Sequence, residues 1–152
     1  MESVVLDLLR ARGLTLAIAE SLTGGLMGAR ICALPGCGDV YRGGVIAYEA
    51  AAKFKLLGVP EGPIVTARAA EVMAAGVRAA LEVDVGLATT GVAGPDEQEG
   101  QPVGTLFMGL AIGDRVLSEG ARLPGDRNRI RQYSVISALN FLRRTLLASP
   151  EA

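Results

Sequence analysis

Apolar and polar positions along the chain switch repeatedly between a helical period and short strand-like runs, and those switches predict the elements. Val5, Leu8, Leu9 and Arg12 follow helical spacing from about Glu2 onward, and Gly13 is a natural stop. Leu14–Ala19 is a short apolar run of strand type. It breaks into Glu20-Ser21-Leu22-Thr23-Gly24-Gly25, after which Leu22, Leu26, Ala29 and Ala33 recur at helical spacing. A helix is therefore predicted from Ser21 to about Leu34, stopped by Pro35-Gly36. Val40–Tyr48 reads as a second strand interrupted by Gly43-Gly44, and Ala50–Leu57 as a short helix ended by Gly58. Thr66 is placed to cap a helix over Ala67–Leu81, with one apolar stripe at 69, 72/73, 76/77 and 80/81. Val83–Ala88 is apolar almost throughout, the pattern of a strand covered on both faces. Val103–Ile112 and Arg115–Arg122 flank Gly113-Asp114 and predict a hairpin. Asp126 is placed to cap a last helix that runs to about Leu147 and stops before Pro150.

Helices interleaved with parallel-type strands, plus one hairpin, predict an α/β sandwich with a mixed sheet. No internal repeat or linker divides the 152 residues, so one domain over 1–152 is expected. Strands one and three should end on the same edge of the sheet, at Ser21 and Thr90, where α/β folds ordinarily bind ligands.

Composition changes this picture by exclusion. Half the residues are hydrophobic and only 4% are aromatic, so the core is Ala, Val, Leu and Ile. A formal net charge of -1 gives no clustered basic face for nucleic acid. No apolar run approaches the ~18 residues of a membrane span. Met1-Glu2-Ser3 does not begin a signal peptide, and a cytoplasmic location is expected. Cys32 and Cys37 flank Pro35-Gly36; a cytosolic disulfide is not expected there, and Cys32 falls on a helix as a small core residue. The chain contains no histidine, which removes Ser-His-Asp, Cys-His and His-containing zinc hydrolase sites.

Four places remain that could carry chemistry. Ser21 and Thr23 lie in a strand-to-helix turn, where free N–H groups suit an anion or a developing oxyanion. Ser21 is there a nucleophile or simply a helix cap. Without histidine its base would be lysine, and Lys53 and Lys55 are the two lysines in the chain. Lys53 serves as a base if desolvation lowers its pKa, or is an exposed lysine paired with Glu49. Thr89-Thr90-Gly91-Val92-Ala93-Gly94-Pro95 offers hydroxyls and flexible backbone to a phosphate or carbonyl oxygen, or is a turn without a ligand. Arg127, Arg129 and Arg131 crowd a helix N-terminus, against the helix dipole. A bound anion would offset that mismatch through Arg127 and Arg131, which share a face; alternatively these are surface arginines paired with Asp126 or Glu119.

Together the segments resemble the CinA C-terminal domain family, whose characterised members are nicotinamide mononucleotide deamidases. The matching stretches are Ala19-Glu20-Ser21-Leu22-Thr23-Gly24-Gly25, Gly43-Gly44-Val45-Ile46-Ala47-Tyr48 with Lys53, and Leu56-Leu57-Gly58-Val59. They continue in Thr90-Gly91-Val92-Ala93-Gly94-Pro95, Pro102-Val103-Gly104-Thr105 and Gly125-Asp126-Arg127 with Arg131. Leu22 stands where the family usually has cysteine, and the loop between Pro95 and Pro102 is more acidic and less glycine-rich than usual. Longer family members carry a molybdopterin-binding-like N-terminal domain that these residues do not include, so activity of that domain is expected to be absent.

The resemblance implies a three-layer α/β/α sandwich with a mixed five-stranded sheet, and hydrolysis of the carboxamide of nicotinamide mononucleotide. Ser21 would attack, Lys53 would move protons, and the Ser21–Gly25 backbone or Thr90 would hold the oxyanion. The implied substrate-binding set is Glu20, Thr23, Gly24, Gly25, Tyr48, Gly91, Arg127 and Arg131, with Tyr48 on the pyridinium and an arginine on the phosphate. No metal or other cofactor is implied. The partner is a small pyridine nucleotide, with neither nucleic acid nor membrane, and sandwiches of this size often form homodimers. The competing expectation is a non-catalytic domain that binds a nucleotide or a protein in competence or DNA-damage responses.

Overall fold

Leu16–Glu20 forms β1, and all five residues are buried, which places the strand inside the sheet. It pairs in parallel with β2 (Tyr41–Ile46) on one side and with β3 (Val85–Gly91) on the other. β3 then pairs antiparallel with β4 (Thr105–Ile112), and β4 antiparallel with β5 (Arg115–Arg122) across the Gly113-Asp114 turn. The computed structural model describes residues 1–148, and among them the mixed five-stranded sheet has the order β2-β1-β3-β4-β5. The helices are α1 (Glu2–Ala11), α2 (Leu26–Cys32), α3 (Ala50–Leu57), α4 (Ala67–Ala80) and α5 (Arg127–Ala148). The fold is α/β, as the pattern predicts. The expected stop before Pro150 lies outside the described residues.

Side-chain alternation along the strands decides what each face can hold. Leu16, Ile18, Val85, Leu87, Leu106, Met108 and Leu110 form one cluster with α1, α2 and α5 through Leu9, Met27, Ile130 and Leu142. The opposite face carries Ala17, Ala19, Ala88 and Ala111, joined to Met73, Ala74 and Val77 of α4. Gly86 and Gly109 lie on that second face, and a Cβ on either would overlap a backbone carbonyl of α4, at Ala74 and Ala70 respectively. One layer is built from bulk, the other from close approach.

That close approach moves the buried face of α4. The stripe expected at 69, 72/73, 76/77 and 80/81 is instead Ala69, Ala70, Met73, Ala74 and Val77, because alanines fit nearest the small residues of the sheet. Thr66 caps α4 as expected, accepting a hydrogen bond from the Ala69 N–H at 3.0 Å. β3 begins and ends later than Val83–Ala88, because its pairing with β4 continues through Thr90 and Gly91. α2 begins at Leu26 rather than Ser21, for a reason that belongs to the site below. Cys32 closes α2 but is exposed, which corrects its expected place in the core. No helix among the described residues is long and apolar enough to cross a membrane.

The packing of α4 on the sheet has a direct test. Gly109→Ala should destabilise the protein by about 1–3 kcal/mol through overpacking. Gly38→Ala, where a Cβ meets nothing within 4 Å, should change stability by less than about 0.5 kcal/mol. Urea unfolding reads both. Equal, near-zero effects would contradict the close contact.

Candidate active site

β1 and β3 end side by side, with Glu20 opposite Thr89 and the Ser21 N–H donating to Thr89 O at 3.1 Å. The chain then turns through Ser21–Gly25 before α2 starts. The late start follows from Glu20. Its buried carboxylate lies across the head of α2 and accepts N–H bonds from Gly25 (3.1 Å), Met27 (3.0 Å) and Gly28 (2.9 Å). Those are the donors a helix N-terminus leaves unpaired, and an anion there also meets the positive end of the helix dipole. The expected anion site at this helix is thus filled by the chain's own carboxylate. Ser21 is not the cap, since α2 is entered through Gly25 in the left-handed region with φ 100.

The rest of the turn is held from α5. Arg131 donates from Nε to Leu22 O at 3.0 Å and from Nη2 to Thr23 O at 2.9 Å. Thr23 is fully buried, its hydroxyl 3.1 Å from that of Thr89. Gly24 and Gly25 take positive φ, which the sharp turn requires.

Ser21 and Leu22 line a cavity of about 120 Å³ whose wall continues through Tyr48, Ile64, Val65, Thr90, Gly91, Gly94, Asp96, Gln98 and Arg127. Typical pockets for drug-sized ligands reach about 300 Å³ or more, so this one has room for no more than a ring-sized group. Among the described residues the Ser21 hydroxyl makes no hydrogen bond. Arg127 stands at the rim and joins its walls, donating to Gly94 O and, at 2.7 Å, to the Tyr48 hydroxyl. The Thr90 hydroxyl donates to Ile64 O at 2.7 Å, so it offers the cavity an acceptor rather than a donor.

Lys53 is the largest departure from an ordinary surface pattern. It has no exposed surface, and Nζ donates to Ala47 O at 2.8 Å and to Tyr48 O at 3.0 Å. The Ala47 N–H in turn donates to Glu20 O at 2.9 Å, which places this carbonyl pair beside the Ser21 turn. Burial pushes the Lys53 pKa down from 10.5 to about 8, against a smaller upward pull from the Glu99 carboxylate. Glu99 itself is anchored by the N–H groups of Ile64 and Val65, at 2.9 and 3.0 Å. The exposed pairing of Lys53 with Glu49 is not what the fold builds.

Of the eleven residues in the implied catalytic and substrate-binding sets, the fold gathers Ser21, Tyr48, Thr90, Gly91 and Arg127 in the cavity wall and sets Lys53 next to it. Glu20, Thr23 and Arg131 grip or fill the turn instead, and Lys55 is exposed. The surface pairing offered as an alternative for the arginines also fails, because Glu119 binds Arg144 at 2.7 Å and Asp126 accepts from the Arg129 N–H at 2.9 Å. Sequence reading missed Ile64, Val65, Asp96, Gln98 and Glu99. They sit on two loops without periodicity, and nothing in their spacing joins residues 35 positions apart.

The model of the CinA C-terminal domain matches residues 1–146. The chain belongs to the CinA C-terminal domain family. It is 50% identical over 157 residues to a CinA-like protein of Frankia casuarinae, covering 100% of this chain and 36% of the relative. It is 44% identical to a CinA-like protein of Dictyoglomus thermophilum, covering 97% of this chain and 37% of that protein. The chain thus spans about a third of the length of these curated relatives. Among solved structures, the competence damage-inducible protein A of Klebsiella pneumoniae superimposes with a TM-score of 0.94 at 28% identity, over 98% of this chain and 96% of that one.

The buried lysine gives this family member a pH signature. Between about 8 and 10.5 the unfolded chain holds a proton that folded Lys53 has lost. Stability therefore rises with pH across that window, and the gain disappears as pH falls through about 8. Relative to Lys53→Met, wild type should gain on the order of 1 kcal/mol per pH unit there, read by urea unfolding. A difference independent of pH would mean that Lys53 titrates normally.

Proposed function

We propose that the domain hydrolyses the carboxamide of nicotinamide mononucleotide to nicotinate mononucleotide and ammonia, with Ser21 as nucleophile and Lys53 as base. The observation that carries this reading is the Lys53 amine, buried and lowered to about 8, beside a cavity lined by an unengaged serine in a chain without histidine. The pyridine nucleotide itself comes from the family resemblance; the cavity's size supports a ring-sized reacting group.

Neutral lysine has two N–H bonds and one lone pair. Ala47 O and Tyr48 O take the two hydrogens, which leaves the lone pair for a third direction and the Ser21 proton. Ser21 Oγ bonds to the amide carbon as its proton passes to Nζ, and the carbonyl π pair moves onto oxygen. When that pair returns, the C–N bond breaks and ammonia leaves with the proton from Lys53. Water, deprotonated by the same amine, then releases the carboxylate and restores Ser21. At the rim, Arg127 retains N–H donors for a 5′-phosphate, and the exposed ring of Tyr48 offers a face to the cationic pyridinium.

Ammonia release from nicotinamide mononucleotide is the test. Wild type should release it, Ser21→Ala should not, and Lys53→Arg should not restore what Lys53→Ala loses, because arginine stays protonated. Lys55→Ala should leave the rate near wild type. Full activity in Lys53→Arg would move the base elsewhere. No ammonia from wild type would favour a binding domain without catalysis.

A further inference from the structure

The backbone donors from Ser21 to Ala29 are nearly all engaged. Ser21 N–H goes to Thr89 O, Gly24 N–H to Ser21 O at 3.0 Å, Leu26 N–H to Thr23 O at 3.0 Å, and Ala29 N–H to Gly25 O at 2.9 Å. Gly25, Met27 and Gly28 give theirs to Glu20. Among the described residues, Leu22 and Thr23 keep the unpartnered N–H groups of this segment. They are also the two residues whose carbonyls Arg131 holds.

The coincidence has a geometric meaning. The C=O and N–H of a trans peptide point in opposite directions within one plane. With Leu22 O held toward Arg131, the Thr23 N–H faces away from that guanidinium. With Ser21 O bound by the Gly24 N–H, the plane carrying the Leu22 N–H is fixed as well. Leu22 lines the cavity next to Ser21, and Thr23 is buried immediately behind it. A backbone N–H on the residue after a nucleophile is a common oxyanion donor, since it lies within reach of the atom that Oγ attacks.

We propose that the Leu22 and Thr23 N–H groups bind the oxyanion formed when Ser21 attacks, and that Arg131 is the positioning residue, holding the Thr23 N–H plane through Leu22 O and, through Thr23 O, the peptide whose Gly24 N–H fixes the Leu22 N–H plane. The proposal rests on Ser21 being the nucleophile. It removes Arg131 from the substrate's phosphate and leaves that contact to Arg127. A flip of the Leu22–Thr23 peptide would turn a carbonyl toward the negative oxygen. The Arg131 fork prevents it by holding Leu22 O and Thr23 O together, and a lysine has no fork to replace it.

The experiment compares nicotinamide mononucleotide with its thioamide, whose sulfur accepts hydrogen bonds weakly and develops the same charge. Wild type should turn over the carboxamide at least about tenfold faster. Arg131→Lys should lower kcat for the carboxamide by about 10–100-fold, keep KM within about threefold, and shrink the oxygen-over-sulfur preference about tenfold. A raised KM with kcat retained would overturn the proposal in favour of phosphate binding. Equal slowing on both substrates would overturn it in favour of a role in folding alone. An absent preference in wild type would overturn it whether or not the variant folds. If Ser21→Ala works at the wild-type rate, the nucleophile reading fails and takes this proposal with it. If Ser21→Ala is inactive and Arg131→Lys keeps the wild-type preference, this proposal alone fails.

Discussion

The Lys53 amine is shut away from bulk solvent, and the arrangement around it follows from that constraint. Its nitrogen meets two backbone carbonyls, from Ala47 and Tyr48, with one carboxylate acting on it through space. Two carbonyl oxygens satisfy both N–H bonds of the neutral amine, so its burial is tolerated without, among the described residues, a direct ion pair that would lock the charge in place. A lysine bridged to a carboxylate would hold its proton. This one has a pKa brought near the range where proton transfer to and from a hydroxyl is effective. Ala47 is the residue through which the constraint reaches the Ser21 turn, because its carbonyl holds Nζ and its N–H is bonded to Glu20 O, one residue before Ser21.

The Ser21 turn solves a second problem by charge. A turn of five residues between a buried strand and a short helix exposes N–H groups at one pole and carbonyls at the other. Glu20 takes the first set at the helix head, and Arg131 takes carbonyls from the other side. Two charges of opposite sign, from β1 and α5, therefore set the backbone path of a segment whose packed side chains are Leu22 and Thr23. In sequence Glu20 enters the substrate set through the resemblance, and Arg131 because cations at a helix N-terminus invite an anion. Their hydrogen bonds run to backbone instead.

The sheet, its hairpin and every helix were legible because each announces itself locally, by period, by Gly58 and Gly13 at helix ends, or by Thr66 and Asp126 at helix starts. The start of α2 was not, since Glu20 acts as an acceptor for residues five to eight positions later, outside the usual capping distance. Ser21, Thr90 and Arg127 were readable from their places at strand and helix ends, and Tyr48 through the resemblance; the topology brings all four to one edge. What Lys53 does was not readable from spacing, because whether an i,i+4 pair is exposed depends on how α3 docks. Glu99 and the Ile64–Val65 N–H groups meet only through tertiary structure.

The central claim is that a covalent bond forms at Ser21. Acid-quenching the protein during turnover of nicotinamide mononucleotide and measuring the mass of its peptides tests this most directly. The account predicts that the peptide containing Ser21 carries the nicotinoyl mononucleotide as an ester, and that the adduct decays as substrate runs out. An adduct on any other residue, or steady turnover with no adduct on the protein, would contradict it.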